Sequence, residues 1–372
     1  MLTPNDEAEL ADIVSSTKMP LALQGGGTRG MSVTGAAVTT RELSGIKLYE
    51  AGALTLVAEA GTPMRDVEAA LAAENQRLAF EPMDYRRLLN SDGEPTIGGV
   101  VAANVSGPRR IAVGACRDFM LGVRYIDGNG VIIKNGGRVM KNVTGYDLVK
   151  LMVGARGTLG VLTEISLKVL PRPETEATII IHGLDHRAAV SAMAKSLGSP
   201  YEVTGAASLP KSKMTIVRIE GFEISVQYRA QKLKELLVEF GEVTVTANAK
   251  ESREIWCKVR DVEPFHGADG DVWRLSIKPS DSPELVSRLN AYDVIFDWGG
   301  GLIWLLVPSG LDVREKIGDI AGHATLLRAS SDTMERLGMF QPEEPAVAAL
   351  SKGLREKFDP RGIFNAGLMA AA

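Results

Sequence analysis

Leu21-Ala22-Leu23-Gln24-Gly25-Gly26-Gly27-Thr28-Arg29-Gly30 carries a short apolar run into a loop of three consecutive glycines, a threonine and an arginine. Backbone without side chains can bring several N–H groups against one phosphate, and a hydroxyl and a guanidinium beside it add donors and charge. Gly25, Gly27 and Gly30 satisfy the spacing G-x-G-x-x-G. In a nicotinamide-binding fold that spacing is followed at once by a helix whose N-terminus holds the pyrophosphate. Here the next residues are Met31-Ser32-Val33-Thr34-Gly35-Ala36-Ala37-Val38-Thr39-Thr40, β-branched and interrupted by Gly35, a poor opening for a helix. The loop points to a nucleotide held outside a Rossmann frame. A flexible surface turn is the alternative.

Two further stretches share this texture. Pro95-Thr96-Ile97-Gly98-Gly99-Val100-Val101-Ala102-Ala103-Asn104-Val105-Ser106-Gly107 has almost only small side chains, which suits close approach of backbone to something flat or bulky, or equally tight helix packing. Gly154-Ala155-Arg156-Gly157-Thr158-Leu159-Gly160 is a third glycine-rich turn.

The elements that must position these loops follow from periodicity and turn chemistry. Asp6 to Ser16 reads as a helix with Leu10, Ile13 and Val14 on one face, and Leu21 to Leu23 as a strand. Val33 to Thr40, Ile46 to Glu50 and Thr55 to Ala60 read as strands. Thr62 is placed to cap, and Pro63 to open, a helix running to Asn75. Asp127-Gly128-Asn129-Gly130 turns a hairpin, Asp147 to Val153 is a short helix and Val161 to Leu170 a strand. Beyond Pro173, strands and short amphipathic helices alternate, which suggests an α+β unit with antiparallel pairing. Helices are expected at Glu284 to Tyr292 and Asp312 to Ala321. Leu302 to Val307 reads as a buried strand, and no internal repeat stands out. Ile363, Phe364 and Leu368 equip the tail to dock.

The chain has 372 residues, enough for two or three domains, and its 45% hydrophobic and 24% charged residues are ordinary for a globular protein. A net charge of −4 excludes a global basic field for nucleic acid. Cys116 and Cys257 form no C-x-x-C pair, which argues against an iron–sulfur cluster or structural zinc within the chain. The polar N-terminus lacks signal-peptide character and no run reaches membrane-spanning length. A cytoplasmic protein is expected, with membrane association through partners left open.

The three glycine-rich stretches in this order resemble the FAD-binding fold of the vanillyl-alcohol oxidase type, also called the PCMH-type family. Gly25 to Gly30 resembles its pyrophosphate loop, and Thr96-Ile97-Gly98-Gly99 through Asn104-Val105-Ser106-Gly107 its second flavin-contacting segment. Gly157-Thr158-Leu159-Gly160-Val161-Leu162-Thr163-Glu164 resembles the third, beside the adenine end. Phe358-Asp359-Pro360 with Asn365 and Gly367 resembles the C-terminal return to the flavin ring. The likeness spans about residues 1 to 172 and the last fifteen or so. It implies an α+β protein made of a two-subdomain PCMH-type FAD-binding domain (1–172), an α+β cap domain with an antiparallel sheet (173–330) and a C-terminal segment returning to the flavin site (331–372). The implied cofactor-binding residues are Gly25, Gly26, Gly27, Thr28, Arg29, Gly30, Pro82, Thr96, Gly98, Gly99, Asn104, Ser106, Gly107, Gly157, Thr158, Gly160, Val161 and Asn365.

Within that family, Lys141-Asn142-Val143-Thr144-Gly145-Tyr146-Asp147-Leu148 and Asp297-Trp298-Gly299-Gly300-Gly301 resemble the flavoprotein subunits of bacterial glycolate oxidases. That implies an FAD-binding redox subunit oxidising glycolate or a similar 2-hydroxy acid. Its implied partners are a larger FAD-binding subunit and an iron–sulfur subunit that receives electrons. The family's larger hydroxyacid dehydrogenases hold a metal through a paired-histidine motif. His182, His186, His266 and His323 match none of it, so no metal is expected. The first loop has no histidine, so FAD is expected to be non-covalent, and Ala366 stands where the family usually has proline. Oxidising such an acid needs a cation for the carboxylate and a base for the hydroxyl proton. Arg260, Arg274, Lys278 and His266 are available, without diagnostic spacing, so no catalytic base is assigned. A flavin-free structural subunit and a stand-alone FAD-dependent 2-hydroxyacid dehydrogenase remain as alternatives.

Overall fold

The computed structural model describes residues 1–30, 33–138, 145–318 and 320–369. Met31, Ser32 and the Lys141 to Thr144 half of the quoted motif lie outside the described residues. The chain opens with α1 (Glu7–Ser16), capped by Asp6, whose carboxylate accepts from the Glu9 N–H at 2.8 Å. Strands β1 (Leu21–Gln24) and β2 (Ala36–Thr39) pair in parallel, Leu21 opposite Ala36, across the glycine loop. No helix joins them among the described residues, so the frame is not a Rossmann unit. The strand expected over Val33 to Thr40 is thus confined to its second half. Leu10 and Val14 pack on Leu21, Leu23 and Val38, and the tail closes this small core with Ile363 and Phe364.

Strands β3 (Ile46–Glu50), β4 (Thr55–Glu59), β5 (Gln76–Arg77), β6 (Met120–Ile126), β7 (Ile132–Gly136), β8 (Val161–Lys168) and β9 (Leu170–Pro171) complete the first half. Five of them form an antiparallel sheet in the order β3-β4-β8-β6-β7, and β5 pairs with β9. Helices α2 (Met64–Ala73), α3 (Arg86–Leu89), α4 (Ile97–Ala102), α5 (Arg110–Val113) and α6 (Leu148–Met152) accompany it. Pro63, rather than Thr62, occupies the cap position of α2, because the Thr62 hydroxyl is taken by the Glu59 carbonyl at 2.7 Å and the Gly45 N–H at 3.0 Å.

The second half holds β10 (Thr175–His182), β11 (Gly205–Leu209), β12 (Met214–Gly221), β13 (Val243–Thr246), β14 (Asp271–Ile277), β15 (Asp293–Asp297), β16 (Leu302–Val307) and β17 (Gly322–Arg328). Its helices are α7 (His186–Leu197), α8 (Glu223–Leu237), α9 (Ala249–Arg260), α10 (Ser282–Ser287) and α11 (Val313–Ile317). One antiparallel sheet runs β13-β10-β12-β11-β15-β16-β14-β17. Read along the chain, it is two βαββαβ units joined through β11 and β15 at Ser208 and Phe296. The sequence reading missed this repeat, because the two copies share architecture rather than residues. It also missed β11 and β17, and the helices expected at Glu284 to Tyr292 and Asp312 to Ala321 are shorter.

The sheet is buried on both faces. Ile303, Leu305 and Val307 pack with the helices, while Leu302, Trp304 and Leu306 pack with residues of the first half such as Leu56, Phe80 and Val105. This two-sided burial explains why β16 reads as an unbroken apolar run instead of alternating. Helices α12 (Ser331–Leu337) and α13 (Pro345–Phe358) lead into the tail.

Candidate functional site

The glycine loop walls a cavity of about 450 Å³ between β1, β2 and α4. Its carbonyls turn into the protein. Gly25 O accepts from the Thr39 hydroxyl at 2.9 Å, Gly26 O from Arg41 at 3.4 Å and Thr28 O from the Ser91 hydroxyl at 3.2 Å. Among the described residues, none of the six backbone N–H groups from Gly25 to Gly30 donates a hydrogen bond to another. Consecutive N–H donors without acceptors form an anion-binding concavity. A Cβ on Gly26 would drive into the Glu94 carbonyl, so only glycine lets the loop lie this close to the 91–96 segment. Gly30, at φ +58, has no atom within 4 Å of the Cβ position, so the loop faces open space there.

Arg29 lines the same cavity and donates to Gly99 O at 2.7 Å, stacking its guanidinium over Tyr85 at 5.4 Å. Its Nε is buried without a partner, and burial holds its pKa below the usual arginine range. An orphaned buried donor, a positive charge and six N–H groups without an acceptor among the described residues fit a diphosphate-bearing cofactor. Gly98, Gly99, Ala102 and Ala103 of the second segment and Arg156, Gly157, Gly160 and Val161 of the third supply further walls.

The tail acts as a rivet between two of these walls. Asn365, 1% exposed, accepts from Leu23 N–H at 2.7 Å and donates to Arg156 O at 2.8 Å, while its own N–H bonds Leu21 O at 3.0 Å. An Asn365→Ala change removes the acceptor of the Leu23 N–H and the donor to the Arg156 carbonyl. It should cost about 2 kcal/mol of stability and weaken cofactor binding, read by denaturant unfolding and by titration of FAD. Stability and affinity both at wild-type values would refute the rivet.

A second cavity, of about 280 Å³, adjoins the first; Ala103 and Arg156 line both. Its floor is the first-half-facing side of the large sheet. Register sets Arg274 of β14 opposite Trp304 of β16 and Thr325 of β17, and Ser276 opposite Leu302 and His323. Its roof is Met83, Tyr85 and the 103–108 segment with Arg110. Trp298 lies against two guanidinium groups, with Arg110 at 4.6 Å and Arg274 at 5.2 Å from its ring centroid. Asp297 is the only carboxylate lining this cavity among the described residues; it is 2% exposed, and its Oδ1 accepts from the Trp298 N–H at 2.7 Å. Burial pushes its pKa up to about 7. His323 sits at the exposed rim, held below the usual histidine range first by partial burial of its ring and then by the charges of Arg274 and Arg110.

Of the residues expected at the cofactor, Gly25, Gly26, Gly27, Thr28, Arg29, Gly30, Thr96, Gly98, Gly99, Gly157, Gly160 and Val161 line the first cavity. Asn104, Ser106 and Gly107 line the second. Pro82, Thr158 and Asn365 line neither. The Thr158 hydroxyl donates to Ala155 O, and the Ser106 hydroxyl is held by the Cys116 N–H at 2.9 Å. Among the cationic candidates, Arg260 and Arg274 reach the second cavity, whereas Lys278 and His266 do not. His266 bonds Asp261 O and borders a separate open depression with Arg86 and Asp92. Arg110, Asp297 and His323 went unassigned. Asp297 and Trp298 sat in a quoted motif, but no local spacing singles out Arg110 or His323.

The FAD binding domain family matches residues 1–136. The chain is 36% identical to glycolate oxidase subunit GlcE of Escherichia coli (strain K12) over 361 residues, 96% of this chain and 94% of that protein. Glycolate oxidase subunit GlcD of Bacillus subtilis (strain 168) is 31% identical over 188 residues, 48% of this chain and 38% of that one. An alkyldihydroxyacetonephosphate synthase structure superposes with a TM-score of 0.69 at 16% identity, covering 99% of this chain and 76% of that one, a likeness of fold. Together with the glycine-walled cavity, these similarities establish that the chain belongs to the PCMH-type FAD-binding oxidoreductase family, in the group of glycolate oxidase subunit GlcE.

Proposed function

We propose that this chain is the FAD-bearing redox subunit of a glycolate-oxidase-type complex. In this reading it oxidises a small 2-hydroxy acid, such as glycolate, to the 2-oxo acid and passes the electrons to an iron–sulfur partner. The observation that carries this is the row of N–H groups from Gly25 to Gly30 that find no acceptor among the described residues, around a cavity shared with Arg29. Residues 1–172 then hold the cofactor, 173–330 cap it and 331–372 return to it. The Gly25 to Gly30 N–H groups, Thr28 and Arg29 bind the diphosphate without a covalent link, and the backbone at Gly98, Gly99, Gly157 and Gly160 flanks the rest.

FAD supplies a two-electron acceptor when bound. In this reading the chain's own residues orient the acid, and Asp297, the carboxylate that lines the second cavity among the described residues, takes its hydroxyl proton. Cys116 and Cys257 are both free thiols and too few to hold a cluster, which supports a partner as the next electron carrier. The larger flavin-binding subunit is the second partner in this reading, consistent with the similarity to GlcD. No helix among the described residues is long and apolar enough to cross a membrane, so attachment to one would run through partners.

The purified chain, mixed with FAD and freed of excess, should show a flavin spectrum, and acid precipitation should release the flavin into the supernatant. Adding glycolate anaerobically to the assembled complex should bleach it. A chain that takes up no FAD refutes the reading and favours a structural subunit. Flavin that stays in the acid pellet refutes non-covalent binding.

A further inference from the structure

Four arginines line the second cavity, and they differ in how their charge is met. Arg260 is clamped by the Asp261 carboxylate at 2.7 and 2.9 Å. Arg156 packs over Phe340 at 4.8 Å. Arg110 and Arg274 form no ion pair with any described residue and donate it no hydrogen bond. Their contacts are aromatic, with Trp298 shared between them and Trp304 a further 5.9 Å from Arg274. Burial depresses the pKa of both. A ring face offsets only part of what it costs to take a guanidinium out of water. Two such charges converging on one indole are a standing liability for the fold, and a glutamine or methionine in either place would remove it. The arrangement makes sense when an anion completes it, because a planar guanidinium fork matches a carboxylate.

The rest of the cavity narrows the anion. Asp297 is the single carboxylate lining it among the described residues, so negative charge is attracted by the arginines and repelled by Asp297. Ser276 and Thr325 bring hydroxyls, while Leu302, Leu327 and Met83 bring apolar wall. A short acid with one carboxylate and a neutral hydroxyl fits that polarity, and a second carboxylate near Asp297 does not. The cavity meets the glycine-walled one at Ala103 and Arg156, so an acid held here lies beside the cofactor volume.

We infer that Arg110 and Arg274, braced on Trp298, form a binding site on this chain for the carboxylate of a small 2-hydroxy monocarboxylic acid. The identity of the acid rests on the functional reading above. The site itself belongs to the polypeptide and is complete without flavin, which puts substrate on this chain rather than only on a sister subunit.

The test uses the full chain, flavin-free and FAD-loaded, with glycolate and its neutral isostere glycolamide as probes. Calorimetry follows binding, and tryptophan fluorescence, to which the cavity's Trp298 and Trp304 contribute, is read alongside it. Glycolate should bind saturably to both forms and change the fluorescence; glycolamide should do neither. Arg274→Gln and Arg110→Gln should each weaken glycolate binding by roughly 10–100-fold. Both should leave FAD uptake intact and leave the thermal midpoint unchanged or raised, because each removes a half-buried or buried charge that no ion pair meets among the described residues. A purely structural arginine would instead lower the midpoint. Equal binding of the two probes, no binding of glycolate, or wild-type affinity in both variants would overturn the site. FAD uptake without glycolate binding overturns this inference and leaves the redox-subunit reading standing. Selective glycolate binding by a chain that never takes up FAD does the reverse.

Discussion

Replacing Arg218 by Met should cost about 3–5 kcal/mol of stability at pH 7, because it strips the counter-charge from a buried network. Arg218, 1% exposed, donates to both oxygens of Glu81 at 3.0 and 2.9 Å. Arg109 bonds Glu81 at 2.5 Å and Glu220 at 2.8 Å, Arg77 reaches Glu220 at 2.7 Å, and Glu176 stands 3.8 Å from Arg109. Three arginines and three glutamates therefore balance, and losing one arginine leaves a net buried negative charge.

The network has a place in the architecture. Glu81 belongs to the turn beside Pro82, Arg109 follows Gly107 and Pro108 on the roof of the second cavity, and Arg218 and Glu220 lie on β12 of the large sheet. It ties the roof of the second cavity, and Arg110 with it, to the large sheet.

Its pH dependence has a definite sign. Burial alone would raise Glu81 and Glu220, but the charges of Arg218 and Arg109 override it and hold both below the usual glutamate range. Carboxylates with depressed folded pKa values stabilise above their unfolded pKa, and that stabilisation is lost as the pH falls through the folded value. In the variant those carboxylates can protonate, so the gap between wild type and Arg218→Met should narrow as the pH drops below about 4.5. Adding Glu81→Gln should restore part of the loss. Denaturant midpoints at pH 7 and 4 measure this; a cost below about 1 kcal/mol, or one unchanged by pH, would mean the network contributes no more than surface pairs do.

Asp297→Asn carries the second large effect, and it runs in opposite directions for stability and activity. Burial lifts the Asp297 carboxyl from an ordinary 3.8 to about 7. A group with a raised folded pKa contributes stability that is fully present below its unfolded pKa and is lost as the pH rises through the folded one. Asparagine never ionises and keeps an oxygen for the Trp298 N–H. The variant should therefore match wild type near pH 4 and exceed it by up to about 4 kcal/mol at pH 8. Turnover of a 2-hydroxy acid by the loaded complex should fall by roughly 10²–10⁴, the usual scale for a lost proton acceptor. Unfolding curves at the two pH values and steady-state rates check this. A variant that turns over normally would remove Asp297 from the chemistry, and one that is less stable at pH 8 would contradict its buried carboxylate.

How far residues alone carried the reading depended on the range of the physics involved. Asp6 caps α1, Asp127-Gly128-Asn129-Gly130 turns β6 into β7, and Ala36–Thr39 forms strand rather than helix. Each outcome is decided within a few residues by dihedral preference and local hydrogen bonding. The glycine loop belongs to the same class, since an array of N–H groups on bare backbone is written in consecutive positions. The cap position of α2 went the other way, because Thr62 found partners in Glu59 and Gly45 that its neighbours do not advertise. The repeat in the large sheet escaped for a related reason: strand order is a matter of pairing, and β11 joins β15 through the distant pair Ser208 and Phe296.

The sequence by itself pointed to three glycine-rich segments whose bare backbone suits a phosphate-bearing cofactor, because that chemistry is local to each segment. Only the tertiary structure decided which charges stand uncompensated. Arg274 resembles any strand arginine until the register of β14 against β16 and β17 turns it toward Trp304 and Thr325. Arg110 resembles any helix arginine until α5 sets it over Trp298. Burial, ion pairing and the walls of a cavity arise from what distant segments bring to one place, and no spacing along the chain encodes them.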